Sequence, residues 1–318
     1  MLHSSTSKNS TIVRSQTRLR LARATLQTAF LIADDLGAGL AERLFTTPRR
    51  HPRPDRERTL LASARSFPVT VQLRSPRWAG ATTTVTAWRW GYGPTALLVH
   101  GWEGRGAQLG ALVAPLVAAG MSVVTFDAPA HGDSPGQRLY LTDHADAIAD
   151  VIAAIGPVHA IVAHSFGAAA VLLAHTRHNI DAPRNIFIAP NVLVDDAIGH
   201  FARTIGLDDT DRRTFEQRLA DHSGLPLAAL SPEILAADRD AALLLIHDQD
   251  DREIPLTHSR TLAEIWPHAQ LHITTELGHR RILRDPHVIA AVTTFASSNI
   301  PIPVSDLVRE VDRLVGSP

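Results

Sequence analysis

The sequence predicts an α/β fold built on a mostly parallel, doubly wound sheet. Short continuous apolar runs at residues 96–99, 123–126, 160–163, 186–188 and 243–246 have the texture of parallel strands buried on both faces. Helical stretches near 106–119, 142–155 and 166–177 separate the first four runs. Gly120 and Gly156 stand where two of those helices should end. Ahead of them, residues 69–73 and 82–90 alternate and are β-branched, which marks antiparallel strands. Strands alternating with helices wind helices over both faces of one sheet.

Taken in order, residues 1–18 are rich in Ser, Thr and Asn, carry Lys8, Arg14 and Arg18 with no acid, and are expected as a disordered tail. Residues 19–66 read as an N-terminal helical extension followed by a linker. Leu26, Phe30, Ala33, Leu36, Leu40 and Leu44 recur at steps of three and four, the pattern of one amphipathic helix packed on the domain. The alternative is a helix lying on a membrane surface, a peripheral contact. A signal peptide is not expected, because the apolar run 24–33 is short and no small-x-small cleavage site follows it. Nor is a membrane span, since Asp34, Asp35 and Glu42 interrupt the apolar stretch. Residues 43–58 hold six arginines, His51 and three prolines, and read as an exposed basic linker.

Residues 67–191 and 241–298 form the two parts of the core. Between them, 192–240 is about twice what one crossover helix needs. Phe201, Ile205, Leu207, Phe215, Leu219, Leu225, Leu227 and Leu230 recur there at loosely helical spacing, which predicts a small helical lid insertion. Residues 299–318 are expected as a C-terminal amphipathic helix.

Composition removes whole chemistries. The chain has 318 residues, 31 basic and 32 acidic, and a net charge of −1. That gives no electrostatic case for nucleic acid as a partner. Without cysteine there is no thiol nucleophile, disulfide or thiolate metal site. Lys8, in the tail, is the sole lysine, which argues against Schiff-base and phosphate-loop lysines. Covalent chemistry falls to Ser, Thr, Asp, Glu, His or Tyr. The 17 histidines raise a metal site, with His175 and His178 three apart and His131 near Asp133, but no H-E-x-x-H is present. Most are read as packing or surface groups, and no metal or cofactor is expected.

The sharpest motif is Ala163-His164-Ser165-Phe166-Gly167, which leaves an apolar strand and opens an alanine-rich helix. So tight a turn needs small residues two before and two after its centre, and projects the central side chain out of the sheet. Ser165 is the candidate nucleophile; the alternative is a helix N-cap. A serine needs a base, an orienting acid and an oxyanion hole. His100-Gly101-Trp102 follows the strand at 96–99, and its turn should expose the Trp102 N–H. The Phe166 N–H is the second donor. Losing one such donor typically costs about 3–4 kcal/mol of transition-state stabilisation. The Trp102 side chain, with Phe166, is a candidate wall of the acyl pocket.

The acid lies in the loop after 243–246, where Asp248, Asp250 and Asp251 compete. His279, in Leu277-Gly278-His279, is the candidate base, since imidazole titrates near neutrality. His268, His272 and His287 are its rivals. An acid at Asp195 or Asp196, after the 186–188 strand, is a further alternative.

Together these residues resemble the α/β-hydrolase superfamily, from about residue 68 to 295. The points of contact are the turn at 100–102, Phe126-Asp127-Ala128-Pro129-Ala130-His131-Gly132-Asp133-Ser134, the elbow, the Asp251-Arg252-Glu253-Ile254-Pro255 run and Gly278-His279. Two positions depart from the family pattern: Ala163 and Ala130 each stand where it has glycine. The family spacing before proline favours Asp251 as the acid. The family's use of the 126–134 loop is structural, which sets Ser134 aside. Within the superfamily the chain looks most like bacterial hydrolases of poorly defined substrate. The resemblance implies the fold and a serine hydrolase with a Ser165-His279-Asp251 triad that needs no cofactor, and it does not imply a substrate. The expectation is a small ester-like substrate and a cytoplasmic protein. Cleavage of amides, lactones or carbon–carbon bonds uses the same triad, and a non-catalytic binding protein is the reading from another class. Gly104-x-Gly106 followed by Asp127 resembles a dinucleotide fingerprint, but its third glycine position is Leu109.

Overall fold

A computed structural model describes residues 4–180, 182–237 and 239–298. The expected C-terminal helix at 299–318 lies outside the described residues. The strands are β1 (Arg65–Leu73), β2 (Ala81–Trp90), β3 (Thr95–Val99), β4 (Ser122–Phe126), β5 (Val158–His164), β6 (Arg184–Ile188), β7 (Ala242–Asp248) and β8 (Ala269–Thr274). They form one eight-stranded sheet in the order β1-β2-β4-β3-β5-β6-β7-β8. β1 pairs antiparallel with β2, and β2 with β4; every other pairing is parallel. In chain order the helices are α1 (Ser4–Ile32), α2 (Asp34–Thr46), α3 (Asp55–Ala62), α4 (Val113–Ala118), α5 (Leu141–Ile155), α6 (Phe166–His178), α7 (Val194–Ile205), α8 (Asp209–Ser223), α9 (Pro232–Leu235), α10 (Thr257–Ile265), α11 (Gly278–Arg281) and α12 (Pro286–Ser297).

The apolar runs are continuous because both faces of the sheet are covered. Along β5, Ile161 and Ala163 belong to one core, and Ala160 and Val162 to the other. Along β7, Leu243 and Leu245 divide from Leu244 and Ile246 in the same way. Ala145, Ile148 and Val151 of α5 and Ala168 to Ala174 of α6 close the first core. Leu109, Leu112, Val113 and Leu116, with Val288 and Val292 of α12, close the second. Side chains of period two on a doubly covered strand leave few polar positions, and Thr125 and Asn185, which are buried there, are hydrogen-bonded to backbone carbonyls. Helices α7, α8 and α9 stand between β6 and β7.

The N-terminal extension departs from expectation in three ways. Residues 4–18, read as a tail, are helical, and contain no glycine or proline to stop α1. The single helix expected across Leu26 to Leu44 is two. The chain straightens at Ala33 (φ −165°, ψ 134°), and Asp34 and Asp35 open α2, where carboxylates favour a helix N-terminus. The break folds α2 against α1, and a Cβ on Gly37 would meet the Phe30 ring at 2.2 Å. Leu26, Phe30, Ala38 and Ala41 share a third core with Ile198, Ile205, Phe215 and Leu219 of α7 and α8.

The third departure is the basic segment, which is exposed at most positions as expected but is docked on the domain as a strap through several of its arginines. Arg50 donates to the carbonyls of Ser134 (2.7 Å) and Gly136 (2.9 Å). Arg53 donates to Asp127 (2.6 Å) and Asp133 (2.8 Å). Arg49 bonds Glu103 at 2.8 Å, and buried Glu57 of α3 holds buried Arg105. Each of these docking partners is remote in sequence, so a local pattern of arginine and proline cannot announce the docking. Among the described residues no helix is long and apolar enough to cross a membrane.

Candidate active site

Parallel strands collect their C-terminal ends on one edge, where open α/β sheets bind ligands. Ser165 follows β5, Trp102 follows β3, Asp251 follows β7 and His279 follows β8. Ser165 has φ 55° and ψ −124°, a region costing a non-glycine residue roughly 1–3 kcal/mol. Its N–H donates to the Ile188 carbonyl at 3.0 Å, and its carbonyl accepts from Ala168 (3.0 Å) and Asn191 (3.1 Å).

Close packing explains the small residues around it. A Cβ on Gly167 would stand 2.6 Å from the His100 carbonyl oxygen and 2.9 Å from that of Val99. A Cβ on Gly101 would stand 2.9 Å from Ser165 Cβ and 3.0 Å from the His164 carbonyl. The 100–102 turn therefore rests directly on the elbow. Ala163 is fully buried opposite Val99 and Phe187, and its methyl is accommodated there. Glu103, Ala130, Ala189 and Glu276 also carry positive φ, so strain gathers along this edge. Ala130, at φ 63°, lies in the left-handed region that favours glycine.

Of the three aspartates at and just after the end of β7, Asp251 is the one that reaches His279. Its Oδ2 accepts from His279 Nδ1 at 2.7 Å, and its Oδ1 accepts from the N–H groups of Glu253 (2.8 Å) and Ile254 (3.0 Å). Burial works to raise the Asp251 pKa, but His247, His279 and the Ile254 N–H outweigh it and hold the carboxyl well below the usual range. Asp248 accepts from Thr274 and the Leu277 N–H, and Asp250 from the Glu276 N–H. Those two aspartates shape the loops, while Asp251 fixes the imidazole.

The rival residues lie elsewhere. His268 pairs with Asp240, and His272 and His287 are exposed. Asp195 pairs with Arg212 at the start of α7. Ser134 is buried and donates to the Asp127 carbonyl at 2.7 Å. Gly106 of the glycine pair donates its N–H to Asp127 at 2.9 Å, which gives that turn a local structural use. Among the described residues no cluster of three or more His, Asp or Glu could hold a metal ion.

Several histidines that sequence reading left unassigned build the frame. His100 accepts the Ala128 N–H at 2.9 Å and donates to the Gly101 carbonyl at 2.8 Å, tying the 100–102 turn to the loop after β4. His131 accepts the Glu103 N–H at 3.1 Å. His164 Nε2 donates to the His279 carbonyl at 3.0 Å, and the two rings lie 4.7 Å apart. Burial, with the His279 charge second, pushes His164 down to about 3. It is therefore a neutral neighbour that positions His279. Only adjacency to Ser165 could have marked it in the sequence.

Two cavities meet here. Ser165, His279, Gly101, Trp102 and Asn191 line a polar one, with Arg49 and Arg280 at its rim. Trp102 and Asn191 also line an apolar one of about 300 Å³, together with Phe166. The Trp102 and Phe166 rings pack edge to face, 5.6 Å between centroids. Neither N–H of Trp102 or Phe166 is donated to a protein group among the described residues.

A model described as the alpha/beta hydrolase family matches residues 96–292. No curated protein matches the chain in sequence. Among solved structures, an esterase of Pyrococcus furiosus is 15% identical with a TM-score of 0.57, covering 78% of this chain and 95% of its own. A monoacylglycerol lipase of Paleococcus ferrophilus is 21% identical with a TM-score of 0.54, covering 67% and 98%. A bacterial membrane phospholipase A is 19% identical with a TM-score of 0.54, covering 77% and 89%. At such identities the likeness is one of fold. The sheet order, the elbow and a family match over more than half its length agree, and this chain belongs to the α/β hydrolase family.

Proposed function

We propose that this protein is a serine hydrolase that cleaves carboxylic esters through a covalent intermediate on Ser165. The observation that carries the reading is the 2.7 Å hydrogen bond from His279 to Asp251, made by an imidazole that shares a cavity with a serine on a strained turn. Asp251 holds the proton on Nδ1, which leaves Nε2 free as the base. Ser165 Oγ attacks the ester carbonyl, and its proton passes to His279. Oxyanion charge falls to the unclaimed N–H groups of Trp102 and Phe166.

The imidazolium then protonates the leaving alcohol as the carbon–oxygen bond breaks. A water molecule, deprotonated by His279, attacks the acyl carbon and releases the acid and Ser165. Asp251, charged at neutral pH, stabilises the imidazolium at each step. Neutral His164 adds no opposing charge. The test is turnover of p-nitrophenyl butyrate by the wild type and by Ser165→Ala. The variant should lose turnover by on the order of 10³-fold or more while keeping its melting temperature. A folded variant of undiminished rate would refute the nucleophile.

A further inference from the structure

We propose that the apolar cavity beside the elbow receives the acyl chain, and that the N-terminal extension, through Phe45, sets the chain length accepted. The inference rests on Ser165 as nucleophile. The cavity is lined by Trp102, Phe166 and Asn191 beside the elbow and also by Leu44, Phe45 and Thr46 of α2. Those last residues lie outside the span shared with the family, which starts at residue 96. The wall is thus supplied by residues that the family model does not span.

Three observations point to a hydrocarbon occupant behind a fixed wall. First, the hydroxyls that line the cavity are all engaged by protein. Thr46 donates to the Glu42 carbonyl, Tyr140 to the Glu42 carboxylate, and Ser223 to backbone carbonyls. Apart from Asn191, what faces the space is mostly carbon, suited to methylene groups.

Second, Phe45 is locked by rings of the insertion, 4.9 Å from Phe201 and 5.7 Å from Phe215. Third, α2 cannot drift from its seat. Buried Glu42 accepts from Tyr140 (2.6 Å), Arg218 (2.9 Å) and His222, joining α2 to α8 and to the start of α5. The Leu139 N–H donates to the Thr46 carbonyl at 2.9 Å.

The experiment measures kcat/KM for p-nitrophenyl acetate, butyrate, octanoate, dodecanoate and palmitate. Each added methylene that fits should raise it about fourfold, until the chain meets the wall. Phe45→Ala opens room for further methylenes, so the dodecanoate-to-butyrate ratio should rise on the order of tenfold. Phe45→Trp should lower that ratio. Leu44→Trp, at a half-exposed position, should lower it as well and guards against misfolding at Phe45.

Dodecanoate binding to Ser165→Ala, followed by calorimetry, should be lost when Phe45→Trp is added. An unchanged chain-length profile in folded variants, with Ser165 still labelled by a fluorophosphonate, would overturn the wall and spare the nucleophile. Absence of both labelling and turnover in the wild type would overturn the nucleophile and the wall with it.

Discussion

Acid should unfold this protein earlier than its carboxylates alone would dictate, and His144→Leu should delay it. His144 is fully buried, and among the described residues neither ring nitrogen has a hydrogen-bond partner. Burial first, then the neighbouring His100 and His131, push its pKa well below the ordinary 6.5. Burial likewise pushes His100 and His258 down to about 4, and His131 and His164 to about 3. In the unfolded chain these imidazoles bind protons below pH 6.5, while the folded protein refuses them, so stability falls as the pH falls. At pH 5 the unfolded state gains about 2 kcal/mol per histidine, and at pH 7.5 less than about 0.1 kcal/mol.

Together these groups remove roughly 10 kcal/mol, the size of a typical folding margin of about 5–15 kcal/mol. The assay is urea unfolding by circular dichroism at both pH values. His144→Leu should be at least as stable as wild type at pH 7.5, because it leaves no hydrogen bond unmade. Its advantage should then grow by about 2 kcal/mol at pH 5. An advantage equal at both pH values would mean that His144 titrates alike in both states, and the reasoning would fail.

Other outcomes follow from the site and its frame. Asp251→Asn should lower kcat on p-nitrophenyl butyrate by on the order of 10³- to 10⁴-fold, and Asp250→Asn by less than about tenfold; equal losses would place the orienting acid elsewhere. Gly101→Ala puts a methyl 2.9 Å from Ser165 Cβ and should depress kcat in a folded protein, and an unaltered rate would show that the turn has slack. Glu57→Gln leaves Arg105 buried without its counter-charge, and should cost about 3–5 kcal/mol in urea unfolding. A loss below about 1 kcal/mol would reduce the strap to a surface contact.

The sheet is legible in the sequence because its signals are local. A strand such as 160–163 must be apolar throughout to fill two cores, and the glycines at 101 and 167 are small because backbone lies against them. The elbow is legible for the same reason. Asp250 and Asp251 cannot be told apart by composition, since both follow the same strand. What separates them is the 2.7 Å reach to His279 across the next loop. The N-terminal extension is the least legible part. Glu42 looks like an acid that interrupts an apolar helix, yet its partners are Tyr140, Arg218 and His222. The basic segment misleads in the same way, because Arg50 and Arg53 meet carbonyls and carboxylates that only the folded chain brings near. Spacing reports what lies within a turn or two of helix, and these contacts cross the whole molecule.

The central claim is that Ser165 forms the covalent bond to substrate. Intact-mass and peptide-mapping measurements on protein treated with an alkyl fluorophosphonate test it most directly. One adduct per chain, carried by the peptide containing Ser165, is the expected result, with none formed in Ser165→Ala and far slower formation in His279→Ala. An adduct on another residue, or turnover of an ester by protein that takes up no label, would contradict it.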